Sequence, residues 1–282
     1  EGFLLKNILF AASEGVPFIK TGGLADVVGS LPKCIDKEYY DVRVILPKYS
    51  CMKPQMQEKL QYITHFYMDF NWHEEYVGVL GANVDGIQYY FIDNEHYFTG
   101  FKPYGDDVLF EIEKYSYFCK AVLSALPLIG FQPDIIHCHD WQTGLIPVYL
   151  KERFRGNSFF WNVKSVMTIH NLKFQGKWDV NAVQNITGLP DYYFTPDKLE
   201  CYKDANLLKG GLVFADAITT VSQTYAEEIK TDFYGEGLNG LMNARAHDLR
   251  GIVNGIDYDE FNPATDAYIP FKYDPVTFRK EK

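Results

Sequence analysis

Hydrophobic and polar positions alternate along this chain in two rhythms. Short apolar or alternating runs at residues 7–12, 41–46, 134–138, 164–169, 217–221 and 251–253 read as strands. Between them, apolar residues at helical spacing predict helices from about Gly23 to Lys37, after Asp107 through Leu126, from Trp141 to Lys151, and from Ser222 to Ile229. Pro32 is expected to bend or shorten the first of these, and Asp107 to cap the second. Alternation of strand and helix with room for crossovers predicts a doubly wound, mostly parallel sheet covered on both faces. Three further runs, at 62–67, 76–80 and 87–92, lie between polar or glycine turns and read as an antiparallel insertion. The polar and aromatic excursion from Asp93 to Gly100 is read either as a mobile rim over a ligand or as a packed surface loop.

The organising stretch is the apolar strand Ile8-Leu9-Phe10-Ala11-Ala12 followed by Lys20-Thr21-Gly22-Gly23-Leu24-Ala25-Asp26. A strand that feeds a glycine-marked helix start leaves backbone N–H groups free beside Lys20, a combination suited to a phosphate or diphosphate. The pattern matches neither Gly-x-Gly-x-x-Gly nor the Gly-x-x-x-x-Gly-Lys-[Ser/Thr] loop, and by itself is equally readable as a tight turn with an exposed lysine. Parallel strands, however, bring their C-terminal ends to one rim, where Lys20, Asp140, His170, Ser222 and Asn254 are expected to converge.

Composition narrows the options. The 282 residues suffice for a large core, and one domain with an inserted hairpin region is favoured over two equal domains. A net charge of −10 disfavours a general nucleic-acid or anionic-membrane surface. Five cysteines without a Cys-x-x-Cys pair read as reduced, cytosolic thiols, and neither a signal peptide nor an apolar run of membrane-spanning length is expected.

Candidate chemistry gathers at the strand exits. His137 and His139 alternate onto one strand face, but no third ligand is identifiable, so no metal is expected. Asp140 reads as a helix cap or a partner for a sugar hydroxyl. Without a Gly-x-Ser-x-Gly elbow, and with Cys138 facing away from both histidines, a catalytic triad is less persuasive than sugar or phosphate positioning. Paired-carboxylate chemistry through Glu14, Asp26 and Asp140 turns on their separation.

An ordered set of motifs carries a more specific resemblance. Lys20-Thr21-Gly22-Gly23-Leu24-Ala25-Asp26-Val27-Val28-Gly29, His139-Asp140-Trp141-Gln142-Thr143-Gly144, Thr168-Ile169-His170-Asn171-Leu172, Phe174-Gln175-Gly176, Leu208-Lys209-Gly210-Gly211-Leu212 and Val253-Asn254-Gly255-Ile256-Asp257 together resemble the N-terminal catalytic domain of the bacterial glycogen synthase and plant starch synthase family. The resemblance covers essentially the whole chain. It implies the N-terminal Rossmann-like half of a GT-B glycosyltransferase, with residues 1–265 as the domain, 266–282 as the start of an interdomain linker, and a C-terminal nucleotide-binding domain beyond. It further implies a cytoplasmic enzyme that moves glucose from ADP-glucose to the nonreducing end of glycogen or another α-1,4-glucan with retention, and that needs no cofactor.

By the same resemblance Lys20, Gly22, Gly23 and Asn254 would contact the donor, His170 and Asp140 would be catalytic, and Asp26, Tyr97 and Asn171 would organise the acceptor or cleft. A half active site is expected to be inactive alone. The competing readings are a noncatalytic glucan-binding module and a related enzyme using UDP-glucose.

Overall fold

The computed structural model describes residues 5–280. In chain order it runs β1 (Lys6–Ala11), α1 (Gly23–Cys34), β2 (Tyr40–Pro47), the single turn α2 (Pro54–Gln57), β3 (Gln61–Phe70), β4 (His73–Val84), β5 (Ile87–Asp93), the single turn α3 (Glu95–Phe98), and α4 (Val108–Leu128). Next come β6 (Ile135–His139), α5 (Leu145–Glu152), β7 (Lys164–Ile169), β8 (Lys177–Asp179), α6 (Val180–Thr187), β9 (Glu200–Cys201) and β10 (Asp204–Asn206). The last elements are α7 (Leu207–Phe214), β11 (Ala217–Thr220), α8 (Gln223–Glu228), α9 (Asn239–Ala244), β12 (Leu249–Gly251) and α10 (Thr277–Lys280).

Nine strands form one sheet in the order β12-β11-β7-β6-β1-β2-β5-β4-β3, while β8, β10 and β9 form a small antiparallel sheet. Pairing is parallel from β12 through β5. The order reverses at β1, since the chain first extends the sheet through β2 and β5, then returns to β6 and builds the other side. Such a switch point opens a crevice beyond the strand ends. Here it lies between the segments that follow β1 and β6.

Central strands are apolar on both faces because helices cover both: Leu9, Phe10, Val44, Ile45, Ile136 and Met167 are almost fully buried. At the edge, β3 alternates exposed and covered residues, as a strand with one solvated face should. The longest helix, α4, buries residues around most of its circumference, from Ile112 and Tyr115 to Leu126, because it is enclosed by neighbours on several sides. Asp107 caps it, accepting from the N–H groups of Leu109 and Phe110 at 3.0 and 3.2 Å. No helix among the described residues is long and apolar enough to cross a membrane.

Several expectations need correction. Only β3 and β4 form the antiparallel addition, because β5 pairs in parallel with β2 and is a member of the main sheet. The final strand ends at Gly251 rather than Val253, which leaves Asn254 three residues past the strand. Pro32 stays inside α1, which ends at Cys34, three residues before the expected Lys37. The excursion after Asp93 is packed: Asn94 caps α3, whose Tyr97 and Phe98 are buried. The segment expected as one helix from Trp141 to Lys151 splits into a 3-10 turn at Trp141–Thr143 and α5, and Asp140 makes no cap bond to either.

Candidate active-site cleft

Beyond the strand ends lies a cleft of about 890 Å³. Its floor and walls come from six stretches that are distant in sequence. The segment after β1 supplies Glu14, Thr21, Gly22, Gly23 and Leu24. The exits of β6 and β7 supply Asp140, Trp141, His170 and Asn171, with Lys173 to Lys177 following; Tyr104, Gly105, Val108 and Glu111 form another wall, and Val221 and Asn254 complete the rim.

The glycine turn is built around an internal carboxylate. Gly22 is extended (φ −152°) and provides no side-chain cap to α1. Glu14, 3% exposed, accepts from the Thr21 N–H, and burial raises its pKa against the effect of that bond. Lys20 stands just outside the lining and pairs with Asp26 at 2.6 Å, an interaction that raises its pKa. Gly29 lets α1 lie close to this segment, since a Cβ there would stand 2.2 Å from Val16 Cγ2 and 2.5 Å from the Val16 carbonyl oxygen.

Asp140 is the most constrained residue of the cleft. Its backbone (φ 56°, ψ −176°) lies in a region that residues other than glycine enter at a cost of about 1–3 kcal/mol. In return its carboxylate crosses to β7 and accepts the N–H groups of His170 and Asn171 at 2.7 and 3.4 Å. Burial, with a smaller contribution from Glu14, pushes its pKa up to about 7 against those two bonds.

His170 is held from behind by a histidine stack. Its Nε2 lies 2.9 Å from His139 Nδ1, and the His139 and His137 rings stack at 4.2 Å. His137 Nε2 in turn meets Thr168 Oγ1 at 2.5 Å. The alternation onto one face is therefore as expected, with His139 Nδ1 and His137 Nε2 engaged by protein partners and His139 Nε2 buried without a hydrogen-bond partner. Among the described residues no group of three or more His, Cys, Asp or Glu could hold a metal ion. Burial lowers the pKa of His170 to about 4 and of His137 to about 3, and that of His139 far below the usual value. All three rings are neutral at pH 7, so His170 presents a hydrogen-bonding imidazole rather than a cation.

Of the residues singled out from sequence, Gly22, Gly23, Asp140, His170, Asn171 and Asn254 line the cleft together, with Lys20 and Asp26 adjoining. Tyr97 does not: it is 2% exposed, stacks on Tyr117 with centroids 4.5 Å apart, and donates to Glu113 at 3.0 Å. The aromatic hydroxyl at the cleft is Tyr104, bonded to Ser13 at 2.8 Å. Sequence reasoning also passed over Trp141 and Glu111. Trp141 had a signal in the nearby Phe174-Gln175-Gly176 motif, because Gly176 (φ 62°) leaves room for the indole: a Cβ at that position would stand only 2.3 Å from Trp141 Cε3. Glu111 had none, being one acidic residue in a helix.

A family profile described as the starch synthase catalytic domain matches residues 7–244. A glycogen synthase of Lachnospira eligens is 65% identical over 278 residues, covering 99% of this chain and 58% of that protein. One from Lachnoclostridium phytofermentans is 62% identical with the same coverage. The catalytic domain of starch synthase IV from Arabidopsis thaliana, bound to ADP and acarbose, superposes with a TM-score of 0.88 at 30% identity, over 98% of this chain and 56% of that one. The chain thus spans a little over half the length of these relatives, and it belongs to the starch synthase catalytic domain family.

Proposed function

We propose that this chain is the N-terminal half of a retaining glucosyltransferase that transfers glucose from ADP-glucose to the nonreducing end of an α-1,4-glucan, glycogen included. In this reading the domain occupies residues 1–265, residues 266–282 begin the connection to a nucleotide-binding half, and the enzyme works in the cytoplasm. The observation that carries it is the meeting of the glycine turn, Asp140 and His170 in one cleft of a starch synthase-family chain. ADP and acarbose, bound by the plant neighbour, are a nucleotide and an oligosaccharide analogue of the proposed substrates' kind.

The diphosphate is proposed to approach the Gly22-Gly23 turn, where no Cβ crowds it, with Asn254 facing the donor from the opposite rim. Lys20 would exchange Asp26 for a phosphate oxygen, so that its charge meets the negative charge growing on the leaving group. Asp26 then serves to hold Lys20 until the donor arrives. His170 is assigned to a hydroxyl of the transferring glucose, oriented by His139, and Asp140 fixes the His170-Asn171 backbone that presents both side chains. The bond from glucose C1 to the phosphate oxygen breaks as the acceptor hydroxyl oxygen attacks C1 from the same face. Its proton passes to the departing phosphate, giving ADP and a glucan longer by one residue.

The test is transfer of labelled glucose from ADP-glucose and from UDP-glucose to glycogen by the full-length two-domain protein, and by residues 1–282 alone. Transfer from ADP-glucose by the full-length protein, with little or none by the isolated half, is expected. Absence of transfer by the full-length protein, preference for UDP-glucose, or comparable turnover by the isolated half each overturns the corresponding part of the proposal.

A further inference from the structure

The 3-10 turn at Trp141–Thr143 is held firmly by its backbone. The Thr143 N–H donates to the Asp140 carbonyl at 3.1 Å, and the Thr143 hydroxyl to the His139 carbonyl at 3.0 Å. From α4, Cys119 Sγ donates to the Gln142 carbonyl at 3.2 Å. Gly144 brings the turn against α7, since a Cβ there would stand 2.3 Å from the Leu207 carbonyl oxygen. The Gln142 side chain is the exception to this order. It is 8% exposed and belongs to the cleft lining, yet among the described residues its amide forms no hydrogen bond. Oε1 is sealed in the protein without a partner, whereas Nε2 is not sealed. Turning the amide over would bury two N–H donors in place of one acceptor, so the donor end is the one left for the cleft.

We infer that Gln142 is a sugar-binding residue whose Nε2 donates to a hydroxyl oxygen of a glucosyl unit in the cleft; the inference rests on the glucosyltransferase reading. An aliphatic side chain of the same length would avoid the unpaired Oε1, and no protein group gains from the amide. What gains is a ligand within reach of Nε2. Two neighbours select that ligand. Trp141 adjoins Gln142 in the turn, its indole fitted against Gly176 and edge-on to Tyr115 at 5.3 Å, so an apolar surface and a neutral donor stand side by side in the lining. Asp140, on the other side of Trp141, accepts the His170 N–H and so holds the residue assigned to the transferring glucose. A pyranose suits this wall, with C–H faces for the indole and a rim of hydroxyl oxygens for the amide. At the diphosphate a neutral amide would add less than the charge of Lys20 and the N–H groups of the glycine turn. The transferring glucose and the terminal residue of the glucan are both glucosyl units, and the experiment tells them apart.

The experiment compares wild type, Gln142→Met and Gln142→Asn in the full-length protein. Dissociation constants are measured for ADP, ADP-glucose and maltoheptaose, together with glucose transfer and the melting temperature without ligand. Gln142→Met keeps the length of the side chain and removes its amide. It should weaken binding of ADP-glucose, of maltoheptaose or of both about tenfold. Binding of ADP, which carries no sugar to transfer, should stay within about twofold. The variant should melt no lower than wild type, because the unpaired Oε1 is gone. Weakening of ADP-glucose alone puts the hydroxyl on the transferring glucose, and weakening of maltoheptaose alone puts it on the glucan. Gln142→Asn retains the amide one methylene short of its place and should move the same constants by a smaller factor. It serves as the second probe if Gln142→Met fails to fold.

Unchanged constants for both sugars in the folded variants, or an equal weakening of ADP, overturn the inference. So does a Gln142→Met variant that loses stability without a sugar-specific effect, since that is the mark of a packing role. Should the wild type bind ADP-glucose and maltoheptaose without transferring glucose, the enzyme reading falls while the dissociation constants still decide the role of Gln142. A wild type that binds neither overturns both.

Discussion

Asp140 shows how much one residue of this cleft is asked to do. Its left-handed backbone is a cost the fold bears, and the bonds to His170 and Asn171 return part of it. Two substitutions separate these effects. Asp140→Gly and Asp140→Ala both remove the carboxylate, but only glycine is at ease with φ 56°, so the alanine variant should be less stable than the glycine variant by about 1–2 kcal/mol. Urea midpoints measure the gap, and equal midpoints would dismiss backbone strain. Both variants should lose transfer in the full-length protein, since the segment holding His170 loses its anchor. Lys20 presents the reverse case. Its exposed pair with Asp26 should contribute at most about 0.5 kcal/mol to stability. In the full-length enzyme, by contrast, Lys20→Ala should reduce transfer about a hundredfold or more. A correctly folded variant with near-normal donor binding and turnover would remove Lys20 from the donor site.

At the scale of elements, the cleft depends on α1 being seated tightly against the segment that follows β1. The Val16 N–H donates to the Ala25 carbonyl at 3.0 Å, and Gly29 meets Val16 with no room for a methyl group. Gly29→Ala should therefore push the helix outward and tilt the Gly22-Gly23 turn, costing about 1–3 kcal/mol in stability and weakening donor binding in the full-length protein. Thermal melting with donor titration checks both, and a variant with wild-type values in each would show that the contact yields freely. This packing also explains which parts of the chain are legible in sequence. The strands and the Asp107 cap are readable because their signals are local: alternation, apolar runs, a side chain two residues from its donor. The parallel pairing of β5 is not, because the same alternating pattern suits a hairpin strand or a sheet member, and only the neighbour β2 decides. Asp140 reads as a cap for the same reason. Its carboxylate suits the helix ahead of it in sequence, whereas its partners are the His170 and Asn171 N–H groups just past β7, about thirty residues away.

For the molecule as a whole, the candidate site is legible as a list of strand exits but not as a balance of burial and charge, and that balance predicts a response to pH. His137 and His170 have folded pKa values near 3 and 4 against an ordinary 6.5, and His139 is lowered as well. The folded state holds these rings neutral while the unfolded chain takes up their protons below pH 6.5. Their contribution is complete above that pH and is lost as the pH falls toward 4 and 3. Asp140 acts oppositely: raised from 3.8 to about 7, it keeps a proton in the fold that the unfolded chain has released, so its contribution is complete below pH 3.8 and lost as the pH rises through 7. Glu14 is shifted in the same direction as Asp140. Three histidines oppose two carboxylates between pH 6.5 and 4, and each uncompensated proton changes stability by about 1.4 kcal/mol per pH unit. The urea midpoint should accordingly fall as the pH is lowered from 6.5 to 4.5. His137→Asn, which replaces the ring that pairs with Thr168 and lies outside the cleft lining, should flatten that fall by removing one of the three groups that bind protons on unfolding. A wild-type midpoint that holds steady or rises over this range would mean that the carboxylates outweigh the histidines, and a His137→Asn slope equal to that of the wild type would show that the His137 ring is protonated within the fold.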